Sequence, residues 1–160
     1  MKSISKLATV TILFLFVTIS TFAQSSKYKC MLQMANYTGE GAYIVVSLID
    51  AKGTYEKTLY VMGDDKKWYN SLKEWHKFQT KKPSNLSAIT GASVTGGDRS
   101  ITTFEIENAK INNGYKLRFE SAVEDQKYHV TDVELPLTTE ALAAKTDGKG
   151  YIRYVRFSKL

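Results

Sequence analysis

The residues best suited to chemistry lie in one short segment, 87–97, which reads Ser-Ala-Ile-Thr-Gly-Ala-Ser-Val-Thr-Gly-Gly. It consists almost entirely of small, hydroxyl-bearing and glycine residues, and it lies between a lysine-rich stretch and a predicted β-strand. Gly91, Gly96 and Gly97 allow positive φ values and a close approach of a partner to the backbone. We therefore expect a surface loop in which the hydroxyl group of Ser93 is free to react.

Hydrolytic and metal chemistry find little support in the sequence. A Ser/His/Asp arrangement would need His76 or His129 beside Ser93, but the two lie on a predicted helix and a predicted strand, and no nucleophile-elbow pattern is present. The adjacent acids at 64–65 and 124–125 fall in predicted turns, where acids usually cap or are solvated. A single cysteine, Cys30, excludes an intrachain disulfide, and no His/Cys cluster of the kind that binds zinc is present.

The aromatic residues near position 70 allow two interpretations. Trp68, Leu72 and Trp75 recur at i, i+4 and i+7, which is the spacing of one helical face, and would bury a helix against a sheet. Alternatively, Trp68 and Trp75 together with Tyr69 wall a pocket for a planar ligand. Both interpretations hold if one ring faces the pocket.

The run Ala88-Ile89-Thr90-Gly91-Ala92-Ser93 resembles the acceptor motif of exported redox proteins that carry covalent FMN. In those proteins a flavin transferase joins the FMN phosphate to the hydroxyl of a Thr or Ser that follows Gly-Ala. The resemblance implies that Ser93 is the modified residue and that 90–95 forms the loop around it. Arg99, just past the paired glycines, has the bidentate geometry that suits a phosphate. The cofactor-binding residues on this hypothesis are Ser93, Thr90, Gly91, Ala92, Thr95, Arg99, Trp68 and Tyr69.

The motif departs from that pattern at two positions. The acceptor pattern usually has an acidic residue where this chain has Ser87, and its acceptor is more often Thr than the Ser found at position 93. The same segment is also compatible with a glycine-rich surface loop that leads into the next strand and holds no cofactor.

Most of the remaining sequence predicts β-strands, which would have to position this loop. Alternation of apolar and polar residues, with turn signals between, is typical of half-buried strands. The stretch GAYIVVSLID is nearly continuously apolar, which indicates a central strand buried on both faces. In the segment 127–135 the alternation slips between Val130 and Val133, which indicates a bulge or a bend. The predicted strands are 29–35, 41–50, 54–62, 100–106, 115–122, 127–135 and 151–157.

One segment, 66–78, has helical periodicity instead, and Gly63-Asp64-Asp65 before it supplies an N-cap and negative charge for a helix start. The segment 139–145 is either a second helical turn or an irregular loop. Antiparallel strands with one short crossover helix predict a mainly β fold, an antiparallel two-sheet sandwich of the immunoglobulin-like type. A small barrel is the alternative.

The N-terminus predicts a cleavable signal peptide at 1–23. Two lysines form its basic start, and its apolar core at 7–19 is short for a bilayer span. We therefore expect an exported, periplasmic protein with one β-sandwich domain at 24–160 and no stable membrane insertion after cleavage. Without the two lysines of the signal the net charge falls from +6 to +4, a modest excess that indicates a solvated surface rather than a nucleic-acid partner.

Several segments, in order along the chain, resemble a family of predicted periplasmic proteins named domain of unknown function 2271. They are GEGAYIVVSLID (39–50), GTYEKTLYVMGDD (53–65), KWY (67–69), AITGAS (88–93) and GGDRS (96–100). The resemblance implies export and a small β-rich domain. Members of that family accompany membrane proteins with PepSY domains and other parts of exported electron transfer or iron uptake.

These resemblances imply two functions. The first is an exported accessory protein of flavin-dependent electron transfer, with covalent FMN on the glycine-rich loop and a PepSY-type membrane protein or another exported redox component as its partner. The second is a cofactor-free β-sandwich module that docks a membrane reductase or an iron-uptake component. In both cases we expect a non-catalytic electron carrier or binding module rather than an enzyme.

Overall fold

The computed structural model describes residues 24–160, and the predicted signal peptide at 1–23 lies outside the described residues. Within them the seven predicted strands form, with shifted ends, and two short strands that periodicity did not predict, at 90–91 and 145–147, bring the number to nine. The strands are β1 (Ser25–Met34), β2 (Tyr43–Ile49), β3 (Tyr55–Met62), β4 (Thr90–Gly91), β5 (Arg99–Glu107), β6 (Lys116–Ala122), β7 (His129–Pro136), β8 (Lys145–Asp147) and β9 (Ile152–Lys159).

The strands form two sheets, which confirms the predicted mainly β, two-sheet sandwich. One sheet has the order β5-β1-β9-β8 and the other has the order β4-β3-β2-β6-β7. All of the pairs are antiparallel except that between β3 and the two-residue β4. The main apolar core lies between the sheets, where every second residue of β1, including Cys30, Leu32 and Met34, is buried.

A second apolar layer covers the outer face of the five-stranded sheet. Val61 of β3 and Val45 of β2 face this layer, whereas the strand neighbours of Val45, Ile44 and Val46, face the main core. Strand β2 is thus buried on both faces, as its continuous apolar run predicts. The cover comes from the helical segment after β3, whose buried side chains are Tyr69, Leu72 and Trp75.

The single helix predicted over 66–78 is wrong, because the segment is two helices with a break. A 3-10 helix spans Lys66–Ser71, and an α-helix, α1, spans Lys73–Lys81. Residues i and i+3 eclipse in a 3-10 helix. The buried stripe is therefore Tyr69, Leu72 and Trp75, and Trp68 is turned toward the surface, contrary to the spacing prediction.

The boundaries of the helices follow local signals. Asp65 caps the 3-10 helix, as predicted, because its carboxylate accepts a hydrogen bond from the N–H of Lys67 at 3.1 Å. The break at Leu72 has a ψ of 66°, outside the helical range. Of the two alternatives for 139–145, the structure has a short α-helix, α2 (Thr139–Ala143), capped by the hydroxyl of Thr138.

The predicted bulge lies in β7. Its pairing with β6 jumps from Phe119–Val133 to Ser121–His129, so β7 carries extra residues at this point. The bulge turns Asp132 into the interior, where its side chain is 0% exposed. That carboxylate accepts hydrogen bonds from the hydroxyl of Ser121 and from the backbone N–H groups of Lys149, Gly150 and Ile152.

Candidate functional site

The glycine-rich segment is ordered by hydrogen bonds at both ends. A 3-10 turn, Ser87–Ile89, leads into β4, and the hydroxyl of Thr90 donates to the carbonyl of Leu86 at 2.8 Å. Val94 then exchanges backbone hydrogen bonds with Ala42, at 2.8 and 3.1 Å. Ala92 and Ser93 lie between these two fixed points and are exposed, so the expectation of a surface loop around Ser93 is confirmed.

The hydroxyl of Ser93 opens into a small cavity of about 150 Å³. The opposite wall is Gly41, where a Cβ would lie 2.5 Å from the Ser93 Oγ, so only glycine leaves the hydroxyl room. The cavity is lined by two aromatic rings, two hydroxyl groups and two carboxylates in addition to that glycine: Tyr43, Trp68, Ser71, Ser93, Glu40 and Glu124.

The 3-10 helix brings Trp68 to this cavity. The hydroxyl of Ser71 donates to the carbonyl of Trp68 at 2.7 Å, which closes the turn that holds the indole. The ammonium of Lys67 lies 5.3 Å from the centre of the Trp68 ring and 2.9 Å from the carboxylate of Asp65. A hydrogen bond to Asp65 raises the pKa of Lys67, and the charges of Tyr43 and Glu124 in the cavity wall add to this effect. Lys67 thus places a cation beside Trp68, which lines the cavity.

Several residues assigned to the cofactor site from the sequence lie together. Ser93 and Trp68 share the cavity, and Thr90, Gly91 and Ala92 lead directly to it. Gly91 packs closely against Tyr60, because a Cβ there would lie 2.5 Å from the Tyr60 hydroxyl.

The other three residues of that assignment lie elsewhere. Tyr69 is buried in the second apolar layer, with its hydroxyl bonded to the carbonyl of Gly63 at 3.1 Å. Thr95 is exposed after the bridge to Ala42. Arg99 is exposed at the start of β5, where its Nε donates to Gln33 at 3.2 Å, and it is not among the residues that line the cavity.

Five of the cavity residues were not assigned to the site from the sequence. Glu40 and Gly41 come shortly before β2, and Tyr43 is its first residue. Glu124 follows the end of β6, and Ser71 ends the 3-10 helix. The β2–β6 pairing, with Tyr43 opposite Ala122, brings the first three beside Glu124. The aromatic repeat around Trp68 was the sequence feature that pointed to this cavity. The other lining residues depend on the strand register, which cannot be read from local sequence.

A buried carboxylate underlies the helical segment. Glu120 on β6 is 0% exposed and accepts hydrogen bonds from the hydroxyls of Tyr55 and Tyr128 and from the backbone N–H of Trp75, the last at 3.3 Å. Burial raises the pKa of Glu120, and the same burial together with the hydrogen bond to Glu120 raises the pKa of each tyrosine. This network fixes the start of α1 to the sheet, and so supports the 3-10 helix that carries Trp68 to the cavity.

A larger groove of about 680 Å³ lies between the edges of the two sheets. Its floor is apolar, formed by Leu59 on β3, Phe104 on β5, Phe78 on α1 and Ile89. Three lysines lie around it, Lys27, Lys57 and Lys82. The glycine-rich segment thus has its first part on this groove and Ser93 on the small cavity.

Neither histidine lines the small cavity or the groove. His129 packs edge to face against Tyr151 at 5.0 Å between ring centres, and His76 lies on α1. Among residues 24–160 no group of three or more His, Cys, Asp or Glu side chains is placed to hold a metal ion.

The family comparison agrees with the fold. The model of a family described as "Predicted periplasmic protein (DUF2271)" matches residues 25–154. The chain belongs to this family. The match spans all of the strands up to the first part of β9, and it includes the glycine-rich segment and both walls of the cavity.

No curated protein and no solved structure is significantly similar to the chain. Across residues 24–160, none of the helices has the length and the apolar character that crossing a membrane requires.

Proposed function

We propose that this DUF2271 protein is an exported accessory protein of flavin-dependent electron transfer and that it carries FMN as a phosphoester on Ser93. The observation that carries the proposal is the pairing of the exposed Ser93 hydroxyl with the partly exposed Trp68 indole in one cavity. The partner would be a PepSY-type membrane protein or another exported redox component, and the electron transfer itself would belong to the flavin.

The residues around Ser93 fit an attached phosphate. Gly41, Gly91 and Ala92 are small, so a transferase could approach the hydroxyl without obstruction by side chains. At about 30 Å³ per water molecule, the cavity has room for about five waters. It would therefore enclose the phosphate end of FMN only, and the flavin ring would lie at the surface against Trp68, where a redox partner could reach it.

The charges near Ser93 act in opposite directions on the attachment of the phosphate. Lys67 would attract the phosphate, and we assign it the role that the sequence suggested for Arg99, because Arg99 is bonded to Gln33 in the other sheet. Glu40 and Glu124 would repel the phosphate. We therefore expect Glu124→Gln to raise the yield of modification and Lys67→Gln to lower it.

The test is the intact mass and visible spectrum of the exported protein, coexpressed with a flavin transferase. We expect a mass increase of one FMN less water that maps to Ser93 and is lost in Ser93→Ala. The matched control is Thr95→Ala, which removes another exposed hydroxyl of the same loop and should leave the modification intact. An unmodified wild-type mass with no flavin absorbance would refute the proposal.

A second candidate is a cofactor-free module that docks a membrane reductase or an iron-uptake component. The small size of the cavity favours it, since pockets that enclose a cofactor usually measure about 300–1,000 Å³. Exposed Ala92, Ser93 and Thr95 and the Trp68 ring would then form a contact surface. Ser93→Ala separates the two functions: the activity of the electron-transfer system would be lost if Ser93 holds FMN and retained if the loop only docks.

A further inference from the structure

Strand β5 forms one end of the four-stranded sheet and pairs with β1 along one side only. The pairing runs without a register shift from Ser25–Glu107 to Gln33–Arg99, so β5 is a regular nine-residue strand. Its other edge borders the large groove, because Thr103, Phe104 and Glu105 line that groove. A long regular edge of this kind presents a row of backbone groups to a further strand.

The hydrogen bonds at the two ends of the β1–β5 ladder show which backbone groups are available. The N–H of Met34 donates to the carbonyl of Asp98 at 2.9 Å, and the N–H of Asn108 donates to the carbonyl of Gln24 at 2.8 Å. Residues of an antiparallel strand alternate between bonding one neighbour and bonding the other. The even-numbered residues of β5 therefore bond to β1, and the N–H and C=O groups of Arg99, Ile101, Thr103, Glu105 and Glu107 point to the open side.

Strand β5 lacks three of the features that protect edge strands, although Arg99, Glu105 and Glu107 give it charged side chains. Natural edges carry lysine, proline or a bulge that discourages pairing. The segment RSITTFEIE has no lysine and no proline, and its register has no bulge. It also exposes Ile101, whose side chain is 62% accessible although it is large and apolar.

We propose that β5 pairs antiparallel with β5 of a second copy of this chain, about a two-fold axis at Thr103. In this register the five residues with open backbone groups pair only with one another: Thr103 with its copy, Ile101 with Glu105, and Arg99 with Glu107. Each copy donates five N–H groups to the other. The two four-stranded sheets become one continuous sheet of eight strands.

The charge pattern favours a second copy over an unrelated strand. Arg99 and Glu107 lie at opposite ends of β5, so the antiparallel arrangement brings each arginine opposite a glutamate at both ends of the interface. The inward-facing Phe104 of the arriving strand would lie opposite Thr102 and extend the apolar floor of the groove. The symmetric arrangement thus gives hydrogen bonds to the backbone groups, ion pairs to the charged side chains and an apolar neighbour surface to Phe104.

Disulfide crosslinking tests the register. Residues of a hydrogen-bonded antiparallel pair have Cα atoms about 5.5 Å apart, within the range of a disulfide. Thr103→Cys should therefore form a covalent dimer on mild oxidation. Ile101→Cys is the matched control, because its copies would be offset by four residues, or roughly 13 Å. The native Cys30 is buried, and burial raises its pKa to about 12, so it will not form disulfides with the introduced cysteines.

Charge reversal tests the interface in solution by sedimentation equilibrium. Arg99→Glu and Glu107→Arg should each weaken the dimer at least several-fold, and the double variant should restore it, because the pair is regenerated in the opposite sense. Arg99 is exposed, whereas Glu107 is half-buried and lies 3.4 Å from the ammonium of Lys110, so circular dichroism checks that each variant folds. A wild-type protein that stays monomeric at high concentration would overturn the proposal. So would equal crosslinking of Thr103→Cys and Ile101→Cys, or a double variant no tighter than the singles.

Discussion

The helical segment that brings Trp68 to the cavity is anchored by Trp75. The substitution Trp75→Phe measures how much this side chain contributes to the free energy of unfolding. Trp75 is 0% exposed and packs edge to face on Tyr69, with 5.2 Å between ring centres. Its indole N–H donates to the hydroxyl of Thr58 at 2.9 Å, and its backbone N–H donates to Glu120. Phenylalanine keeps the backbone bond but loses the indole bond and part of the buried ring.

The expected cost has two parts. The substitution removes about 50 Å² of buried aromatic surface, which at roughly 25 cal/mol per Å² lowers the free energy of unfolding by about 1 kcal/mol. The lost hydrogen bond leaves the Thr58 hydroxyl, which is only 4% exposed, without its donor and costs about 1–2 kcal/mol more. We therefore expect Trp75→Phe to destabilise the protein by about 2–3 kcal/mol.

Trp68→Phe is the matched control, because Trp68 is partly exposed and has no buried hydrogen bond, and it should cost less than about 0.5 kcal/mol. The chain has two tryptophans, so each variant keeps one as a fluorescent reporter of urea unfolding. The remaining tryptophan of Trp68→Phe should emit at shorter wavelength than that of Trp75→Phe, because it is buried. Equal losses of stability in the two variants would refute the view that Trp75 anchors the segment.

Three further predictions follow from buried polar groups. Asp132→Asn should lower the free energy of unfolding in urea by about 2–3 kcal/mol, because its amide would face the N–H of Ile152. The control Asp147→Asn, at an exposed ion pair, should lower it by less than about 0.5 kcal/mol. Similar losses of stability in the two variants would contradict this prediction. The pKa of Glu120 is raised in the folded state, so its contribution to stability is full below its ordinary pKa of 4.5 and is lost as pH rises through the folded-state pKa. The wild type should therefore lose stability relative to Glu120→Gln as pH rises above 4.5, and parallel pH profiles of unfolding would show the prediction to be wrong. Cys30 should resist maleimide in the native state and react fully in urea, because it is buried and its pKa is raised to about 12; rapid native labelling would argue against a closed core.

The seven longer strands were predictable, apart from their ends, because their signal is local, whereas the short strands β4 and β8 were not predicted. The alternation in Ser25–Met34 and the continuous apolar run in Tyr43–Ile49 report burial on one face and on two faces. The slip between Val130 and Val133 likewise marks the bulge in His129–Pro136, since an extra residue reverses which side chains face inward. Such patterns depend only on the sheet period, and the observed burial confirms them.

The helical segment shows where local periodicity fails. Trp68, Leu72 and Trp75 match the α-helical spacing, yet the first turns are 3-10, and Tyr69 takes the buried position instead. Whether these turns are 3-10 or α-helical depends on how Tyr69 and Trp75 pack on the outer face of the five-stranded sheet. That packing involves residues distant in sequence, so it cannot be predicted from the local spacing of apolar residues.

Residue types at short range were enough to predict the seven longer strands, the position of Ser93 on a glycine-rich surface loop and the membership of the family. The residues that surround Ser93 could be identified only from the three-dimensional arrangement of the chain. Gly41, Trp68 and Glu124 reach it only because β2 pairs with β6 and the 3-10 helix turns Trp68 outward. The structure also decided that Tyr69 belongs to the core and that Arg99 lies in the other sheet. Strand register and sheet order depend on the burial of the whole core, so they cannot be read from any local stretch of sequence.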